Sequence, residues 1–370
     1  MANFITENMI EQALLQKLKG ADFAYDDIIV CDPDPAHKED LNDGTGRSNK
    51  KECVLPRVLA ASLRRINPHI TDDKLAAVIK DLTSDFSDSD LVQKNYELYN
   101  KIRNYINITV MKNGKEDFEL VKLIDFDNPK NNTFTAVSQM WIKGRYNWRR
   151  PDVIIFVNGL PLVFIELKNS IVKVEEAYEK NLKSYLKDIP NLFAFNQICV
   201  LSNGLETRLG AFNATFDYFF EWLKEKEGER IDRNTIKEKG VSIEYFADGL
   251  LKKDRLIDYI ENFIMFENKS VKIIAKNHQF IGVNNLMRSV ENRNDLNGKL
   301  GVFWHTQGSG KSYSMVMFAR KVRRKVEGNF TFLVITDRDD LDTQIYKNFV
   351  RTEVIGKALS QQMVDFLQFL

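Results

Sequence analysis

The chain has 370 residues, 44% of them hydrophobic, and its 53 Lys and Arg offset 52 Asp and Glu to leave a formal charge of +1. That length predicts two or three domains rather than one. The even balance excludes binding to nucleic acid or anionic surfaces through bulk charge, so only local clusters can do it.

Cys31, Cys53 and Cys199 are scattered without metal-ligand or disulfide spacing, which fits a reducing compartment. The opening MANFITENMIEQ has no apolar signal-peptide core. No apolar run approaches the roughly 20 residues of a spanning helix. The expectation is a cytoplasmic protein with no membrane association.

In chain order, Ile5, Met9, Ile10, Leu14 and Leu18 fall at helical spacing over 5–19. The stretch DPDPAHKEDLNDGTGRSNK reads as a loop. Helices are predicted around 53–66 and 72–83, with a break at SDFSDSD, and again over 90–106. INITVMKNGKEDFELVKLIDF alternates about Asn113-Gly114, a hairpin signal. TFTAVSQMWI continues as strand into RRPDVIIFVNGLPLVFIELKNS, where two apolar runs flank Asn158-Gly159. A charged amphipathic helix is predicted over 171–188 and a strand within FAFNQICVLSNG.

The first domain is thus expected to be α/β over 1–223. The next segment, 224–255, is expected to be a linker, since KEKEGERIDRNTIKEKG is almost wholly polar. Helices over 252–266 and 277–291 lead to a strand (VFWH), a glycine-rich turn, a helix (KSYSMVMFARKVRRKV) and a strand (FTFLVIT). That order predicts a parallel α/β sheet in a second domain, 256–370.

The hairpin poses a burial problem, because Asp152 opens its first apolar run and Glu166 and Lys168 close its second. Buried charges are costly without partners. Glu166 and Lys168 are two apart on a strand and share a face. A plain two-residue turn at Asn158-Gly159 would set Asp152 opposite Ile165 and send Glu166 to the other face. The expectation is therefore a three- or five-residue loop, or a bulge, that puts Asp152 and Glu166 together. Two such carboxylates suit Mg²⁺, and a neighbouring lysine can orient water or stabilise charge on a phosphoryl oxygen. The plainer alternative is a solvated surface pair worth little.

Upstream, MWIKGRYNWRR interleaves Lys143, Arg145, Arg149 and Arg150 with Trp141, Tyr146 and Trp148. Basic groups can hold phosphates and aromatics can stack on bases, although snorkelling arginines on a core-edge strand have the same pattern. Arg145, Arg149, Arg150 and Lys183 are the candidate DNA contacts.

In the second domain, HTQGSGKS lies between the predicted strand and helix. Gly308 and Gly310 can wrap backbone N–H groups around a phosphate at a helix N-terminus. Lys311 would reach the β/γ-phosphates and Ser312 would ligate Mg²⁺. Thr306, Gln307 and Ser309 complete the candidate loop. His305 stands where the strict pattern has its first glycine.

These blocks resemble known families. Asp152, thirteen residues, then Glu166-x-Lys168, preceded by Pro151, resembles the PD-(D/E)xK nuclease motif. The series NPKNNTFTAVSQMWI, RPDVIIFVNGLPLVFIELKNS, CVLSNGLETRLG, KNHQF, FWHTQGSGKS and TDRDDLDTQ, spread over about 90–349, resembles the N-terminal part of the R subunit of type I restriction-modification enzymes.

The resemblance implies a PD-(D/E)xK endonuclease domain followed by part of a RecA-like P-loop motor. It implies Asp152 and Glu166 as metal ligands, Lys168 as the catalytic lysine, and Lys311 and Ser312 at the nucleotide. Asn181 and Tyr185 take the places of a Gln-x-x-x-Tyr pair, with Asn departing from the pattern. Gln279 resembles the Q-motif residue that reads adenine, and TDRDDLDTQ resembles motif Ia, which faces nucleic acid, although Asp339 and Asp340 also read as a helix cap. Glu11 matches a helical glutamate that points at the site in relatives, whereas by itself it reads as solvent-facing.

Implied cofactors are Mg²⁺ and ATP, with S-adenosylmethionine only through partner subunits. Implied partners are double-stranded DNA and the methyltransferase and specificity subunits. No Walker B sequence follows Ser312, so a motor truncated before Walker B is expected, which binds nucleotide without translocating DNA. The alternatives are another nuclease–helicase fusion of the type III kind, or a non-catalytic scaffold binding DNA or nucleotide.

Overall fold

Thr6 accepts a hydrogen bond from the Met9 N–H and caps α1 (Glu7–Lys19). Ile10, Leu14 and Leu18 of that helix are buried along one face. The computed structural model describes residues 4–84, 90–112, 114–336 and 339–354. They form two compact units, one of residues up to 225 with 229–261, the other of 226–228 and the residues from 262 onward.

In the first unit, β1 (Asp27–Val30) precedes the polar loop expected at 32–50. Three helices follow: α2 (Pro56–Ile66), α3 (Asp72–Leu82) and α4 (Leu91–Asn104). Asp90 caps α4 by accepting from the Gln93 N–H. β2 (Ile106–Lys112) and β3 (Lys115–Val121) make a separate antiparallel hairpin. Asn113 and most of SDFSDSD lie outside the described residues.

β4 (Phe134–Ser138), β5 (Ile142–Lys143), β6 (Trp148–Arg149), β7 (Val153–Val157) and β8 (Leu160–Leu167) come next. α5 (Val174–Glu176) runs through a π-helical Ala177–Leu182 into α6 (Lys183–Asp188). α7 (Pro190–Phe195), β9 (Ile198–Ser202), β10 (Thr207–Gly210) and β11 (Phe220–Glu221) complete the sheet region. The strand expected through FAFNQ starts only at Ile198, because Pro190 opens a helix that takes in Phe193–Phe195.

The seven-stranded sheet has the order β1-β4-β7-β8-β9-β10-β11. It is mixed: β1/β4 and β8/β9 are parallel and the other pairs antiparallel. β7 and β8 are buried along their whole length. Ile154, Phe156 and Phe164 point into a core shared with Val174, Leu182 and Leu192 of the following helices.

The β7–β8 turn is itself buried. Asn158 and Gly159 have φ of 52° and 80°, the left-handed pair that a two-residue hairpin turn requires. Asn158 accepts from the Thr133 N–H at 2.8 Å and donates to Leu123 O at 2.9 Å. A Cβ on Gly159 would lie 2.7 Å from Leu55 O and Leu59 N, so only glycine lets α2 lie this close.

The segment 224–255, expected as a linker, is largely folded. It holds α8 (Arg233–Lys239), α9 (Ser242–Phe246), a π-helical Ala247–Leu251 and the start of α10 (Lys253–Asn262). Residues 229–261 belong to the first unit. Its few apolar residues decide this, because Ile236, Ile243, Phe246 and Leu250 are all buried. Local polarity does not reveal a few anchors placed at helical intervals.

In the second unit, β12 (Ile264–Glu267) and β13 (Val271–Ile274) form a hairpin whose first strand takes up the end of the helix expected over 252–266. Asn268 and Lys269 turn it with φ of 48° and 62°. α11 (Asn277–Glu291), α12 (Lys311–Lys325) and α13 (Asp339–Arg351) follow.

The strands expected at VFWH and FTFLVIT are not formed, and among the described residues no strand pairs with either. Val302, Trp304, Leu333 and Ile335 are exposed, so the expected parallel sheet is not assembled among the described residues. An apolar run shows affinity for a sheet interior, but a strand also needs a neighbour for its hydrogen bonds. Phe303 instead lies against α11, where a Cβ on Gly282 would come within 2.4 Å of its ring. In TDRDDLDTQ, Asp337 and Arg338 lie outside the described residues, and α13 begins at Asp339.

Candidate active site and phosphate loop

The register of β7 against β8 decides the first site. The pairs Val157↔Leu160 and Phe156↔Pro161 follow from the two-residue turn, but the ladder then shifts to Ile155↔Val163. Leu162 is the extra residue of a β-bulge. The loop is thus shorter than three residues, and the bulge meets the expectation. Beyond it Ile154 pairs with Phe164 and Val153 with Ile165, which brings Asp152 level with Glu166.

The side chains meet on the face covered by the helical segment 174–188. Asp152 Oδ2 accepts from the Leu167 N–H at 2.7 Å. Lys168 Nζ donates to Glu166 Oε1 at 3.2 Å and to Leu167 O at 2.8 Å. The Asn181 amide also donates to Glu166 Oε1. Asn181 lies in the π-helical turn, a widening that often marks functional positions. The Tyr185 hydroxyl donates to Arg150 O at 3.1 Å and its ring packs edge-on against Phe164. Tyr185 therefore supports the strand entry that carries Asp152.

Glu11 is buried, at 5% exposure, so the solvent-facing alternative is set aside. It accepts from Ser138 Oγ at 2.6 Å and from Gln139 Nε2 at 2.5 Å. Gln139 Nε2 also faces Asp152 Oδ1 at 3.4 Å. Ser138 and Gln139 escaped the sequence reading. Their signal is a Ser-Gln pair at the end of the strand predicted in TFTAVSQMWI.

Burial, with the charges of Glu7 and Glu11 nearby, pushes the Asp152 carboxyl up to about 6 against the pull of the Leu167 N–H and Lys168. Glu166, 2% exposed, is raised well above the usual range by burial and by Asp152, with Lys168 opposing. Glu166 Oε2 is buried without a hydrogen-bond partner. Two hard carboxylates, one with an orphaned oxygen, fit a Mg²⁺ ion that keeps several waters.

The candidate DNA contacts divide. Arg149 is held by Asp188, with Nη2 at 2.5 Å, and lies over the Tyr185 ring. It ties the segment to α6, a role the sequence does not reveal. Arg150 donates to Pro33 O at 3.2 Å and covers Trp141. Lys183 pairs with Glu179 at 2.5 Å. Arg145 lies over Tyr146, which is 83% exposed, and Lys38 and Lys143 flank Trp148.

In the second unit, Gly308 and Gly310 have φ of 77° and 85°, and α12 starts directly after them. Thr306 and Gln307 are exposed and Ser312 is half-buried. Lys311 Nζ bends back to His305 O at 2.8 Å and Thr306 O at 3.1 Å. His278 Nε2 meets Ser309 O at 2.9 Å. Gln279 is buried, accepts from the Lys276 N–H at 2.8 Å and donates to Gly310 O at 2.9 Å. Its amide thus steadies the glycine turn. Ser309 Oγ is buried without a partner, and burial lowers the pKa of both His278 and His305.

Residues 4–218 match the family model of the type I restriction enzyme R protein N terminus. The chain belongs to that family. Residues 278–368 match the SWI2/SNF2 ATPase model. The type I restriction enzyme HindI endonuclease subunit of Haemophilus influenzae is 34% identical over 374 residues, 98% of this chain and 34% of its own. A Methanocaldococcus jannaschii protein provisionally named as the MjaIXP endonuclease subunit of a type I restriction enzyme is 31% identical, over 98% of this chain and 35% of its own. The SsaAORF53P endonuclease subunit of Staphylococcus saprophyticus is 28% identical over 65% of this chain and 24% of its own. The chain spans about a third of the length of the first two relatives. Among the described residues no helix is long and apolar enough to cross a membrane.

Proposed function

We propose that the first unit is a PD-(D/E)xK endonuclease that hydrolyses DNA phosphodiesters with Mg²⁺. We propose the second as the start of an ATP-dependent translocase motor of RecA-like type. The observation that carries the reading is the bulge that sets Asp152 level with Glu166, beside Lys168, with Glu166 Oε2 left unsatisfied.

Asp152 and Glu166 would hold Mg²⁺, which would supply Lewis-acid chemistry at the phosphate. Leu167 N–H fixes Asp152, and Asn181 fixes Glu166. Lys168, anchored by Glu166, orients the attacking water and stabilises charge on the phosphoryl oxygen. A bond forms from the water oxygen to phosphorus as the ester P–O bond breaks. The water's proton passes to solvent, and the leaving oxygen takes up a proton from solvent.

In the second unit, Thr306–Ser312 would wrap the phosphates of ATP, with Lys311 leaving the His305 and Thr306 carbonyls to reach them and Ser312 toward Mg²⁺. Gln279 would hold the turn and stand beside the adenine. Double-stranded DNA is the proposed substrate, with methyltransferase and specificity subunits as partners, the former bringing S-adenosylmethionine. Divalent-dependent nicking of plasmid DNA that disappears in Lys168→Ala, with the circular dichroism spectrum retained, is the expected result. Nicking that persists in this variant overturns the assignment.

A further inference from the structure

We propose that Gln139 is a positioning residue of the nuclease centre, its side-chain amide holding Glu11 and Asp152 in the arrangement that receives the divalent cation. This inference rests on the nuclease reading above. Three observations carry it.

Gln139 directly follows β4 with φ of 57°, a left-handed conformation that non-glycine residues adopt only at a cost of about 1 kcal/mol or more. Gly and Asn suit that backbone better, so the backbone alone gives no reason for glutamine. The main chain is nonetheless tied to the site, because the Gln139 N–H donates to Asp152 O at 2.9 Å.

The second observation is the direction of the amide. Nε2 donates to Glu11 Oε2 at 2.5 Å and faces Asp152 Oδ1 at 3.4 Å. Both partners are carboxylates, which when ionised only accept. Turning the amide over would point its oxygen at two anions, so the neighbours fix its orientation. The NH₂ group thereby links two carboxylates that otherwise repel, one from α1 and one from the entry to β7.

The third is what the orientation leaves behind. Gln139 Oε1 is buried with no hydrogen-bond partner, an omission that costs about 1–3 kcal/mol. Strain and an orphaned acceptor at one residue are tolerated where a site needs them. Glu166 Oε2 is the other orphaned oxygen of this centre. A cation with its bound waters is the chemistry that satisfies the orphaned carboxylate oxygen of Glu166. A partner of this kind, lying behind a ligand, is worth 10–100-fold in metal affinity.

Gln139→Gly separates backbone from amide, since glycine relieves the positive φ and removes the side chain. Mn²⁺ is titrated by calorimetry into the 370-residue chain and into Gln139→Gly, Gln139→Ala and Asp152→Asn. The expected result is a melting temperature for Gln139→Gly equal to or above that of the parent, with Mn²⁺ affinity lowered about tenfold or more. Gln139→Ala is expected to lose affinity equally and to be the less stable of the two. Asp152→Asn is expected to lose Mn²⁺ binding. A Gln139→Gly chain that binds within twofold of the parent, while Asp152→Asn does not bind, overturns the role of Gln139 and leaves the nuclease centre standing. Unchanged binding in Asp152→Asn removes the centre itself.

Discussion

Asp152 lies level with Glu166 across the β7–β8 ladder because Leu162 is one residue more than the turn-defined register allows. Without that bulge Asp152 would oppose Ile165, and the two carboxylates would face opposite sides of a sheet buried on both. The bulge brings two acids together in the core, and the burial of Asp152 has a thermodynamic signature.

The Asp152 carboxyl is raised to about 6, burial being the main cause. The folded chain therefore holds this proton more tightly than the unfolded chain does. The resulting stabilisation is full below the unfolded pKa of about 4 and is lost as pH rises through about 6. At pH 8 the ionised group disfavours the metal-free fold by roughly 1–3 kcal/mol. Asp152→Asn is expected to remove that dependence, so that it is more stable than the parent at pH 8 and comparable at pH 4. Millimolar Mg²⁺ should stabilise the parent at pH 8 and leave the variant unchanged. Urea melts at the two pH values measure this, and a stability difference that does not vary with pH contradicts it.

Asn181 reaches Glu166 from the π-helical turn Ala177–Leu182, where the wider winding sets its position relative to α6. Asn181→Ala removes the donor on Glu166 Oε1 and leaves Lys168 as its hydrogen-bond partner. Divalent affinity is expected to fall about tenfold, with a melting temperature within a few degrees of the parent. Tyr185→Phe loses the hydroxyl's hydrogen bonds with Arg150 O and with the Asn181 side chain, each worth about 1 kcal/mol, and keeps the ring contact with Phe164. Isothermal titration with Mn²⁺ beside thermal melts separates the two roles. Equal effects of both variants on affinity contradict the division.

Much of this centre was legible because its chemistry is written in short spacings. Glu166-x-Lys168 on a strand shares a face by geometry alone, and the conflict between the Asn158-Gly159 turn and Asp152 demanded a bulge. Gln139 and Glu11 were harder, since their value depends on which helix lies over which strand end, and no local pattern encodes that. Arg149 illustrates a partner that local pattern does not encode: it sits among aromatics, and Asp188, thirty-nine residues later, pairs with it. In the second unit the glycine turn and the helix after it form where the pattern puts them, whereas VFWH and FTFLVIT have the apolar character of strands without a paired neighbour among the described residues.

That difference between arginines can be measured. Among the described residues, Arg149→Ala leaves the nearly buried Asp188 with the Asn147 amide as its side-chain hydrogen-bond partner. A loss of about 1–3 kcal/mol is expected, less than for a fully buried pair because Arg149 is partly exposed. Arg145→Ala should cost less stability than Arg149→Ala, since Arg145 lies over the exposed Tyr146 ring. On the proposed function it lowers DNA affinity and reduces the slope of log K against log salt by about 1. Fluorescence anisotropy across a salt series, beside urea melts, reads both. A stability loss in Arg145→Ala as large as that in Arg149→Ala, with DNA binding intact, reverses the assignment.

Asp43 anchors the loop behind this basic segment. Its carboxylate accepts from Lys50 at 2.7 Å and Arg47 at 2.8 Å, all three side chains being largely buried, and Lys50 O accepts from the Lys143 N–H at 2.9 Å. Burial opposes the charge, but the Lys50 and Thr45 hydrogen bonds and Arg47 outweigh it and lower the Asp43 carboxyl to about 2. Because the folded pKa is depressed, the contribution is full above about pH 4 and is lost as pH falls toward 2. Asp43→Ala leaves two buried cations without this partner and is expected to destabilise by about 3–5 kcal/mol at pH 7. Asp43→Asn keeps the shape but not the charge, and it should lie between Asp43→Ala and the parent. The gap between the parent and Asp43→Asn should narrow as pH falls below 4. Chemical denaturation at pH 7, 4 and 3 tests this, and a gap that stays constant over that range shows that the buried ion cluster does not hold the loop.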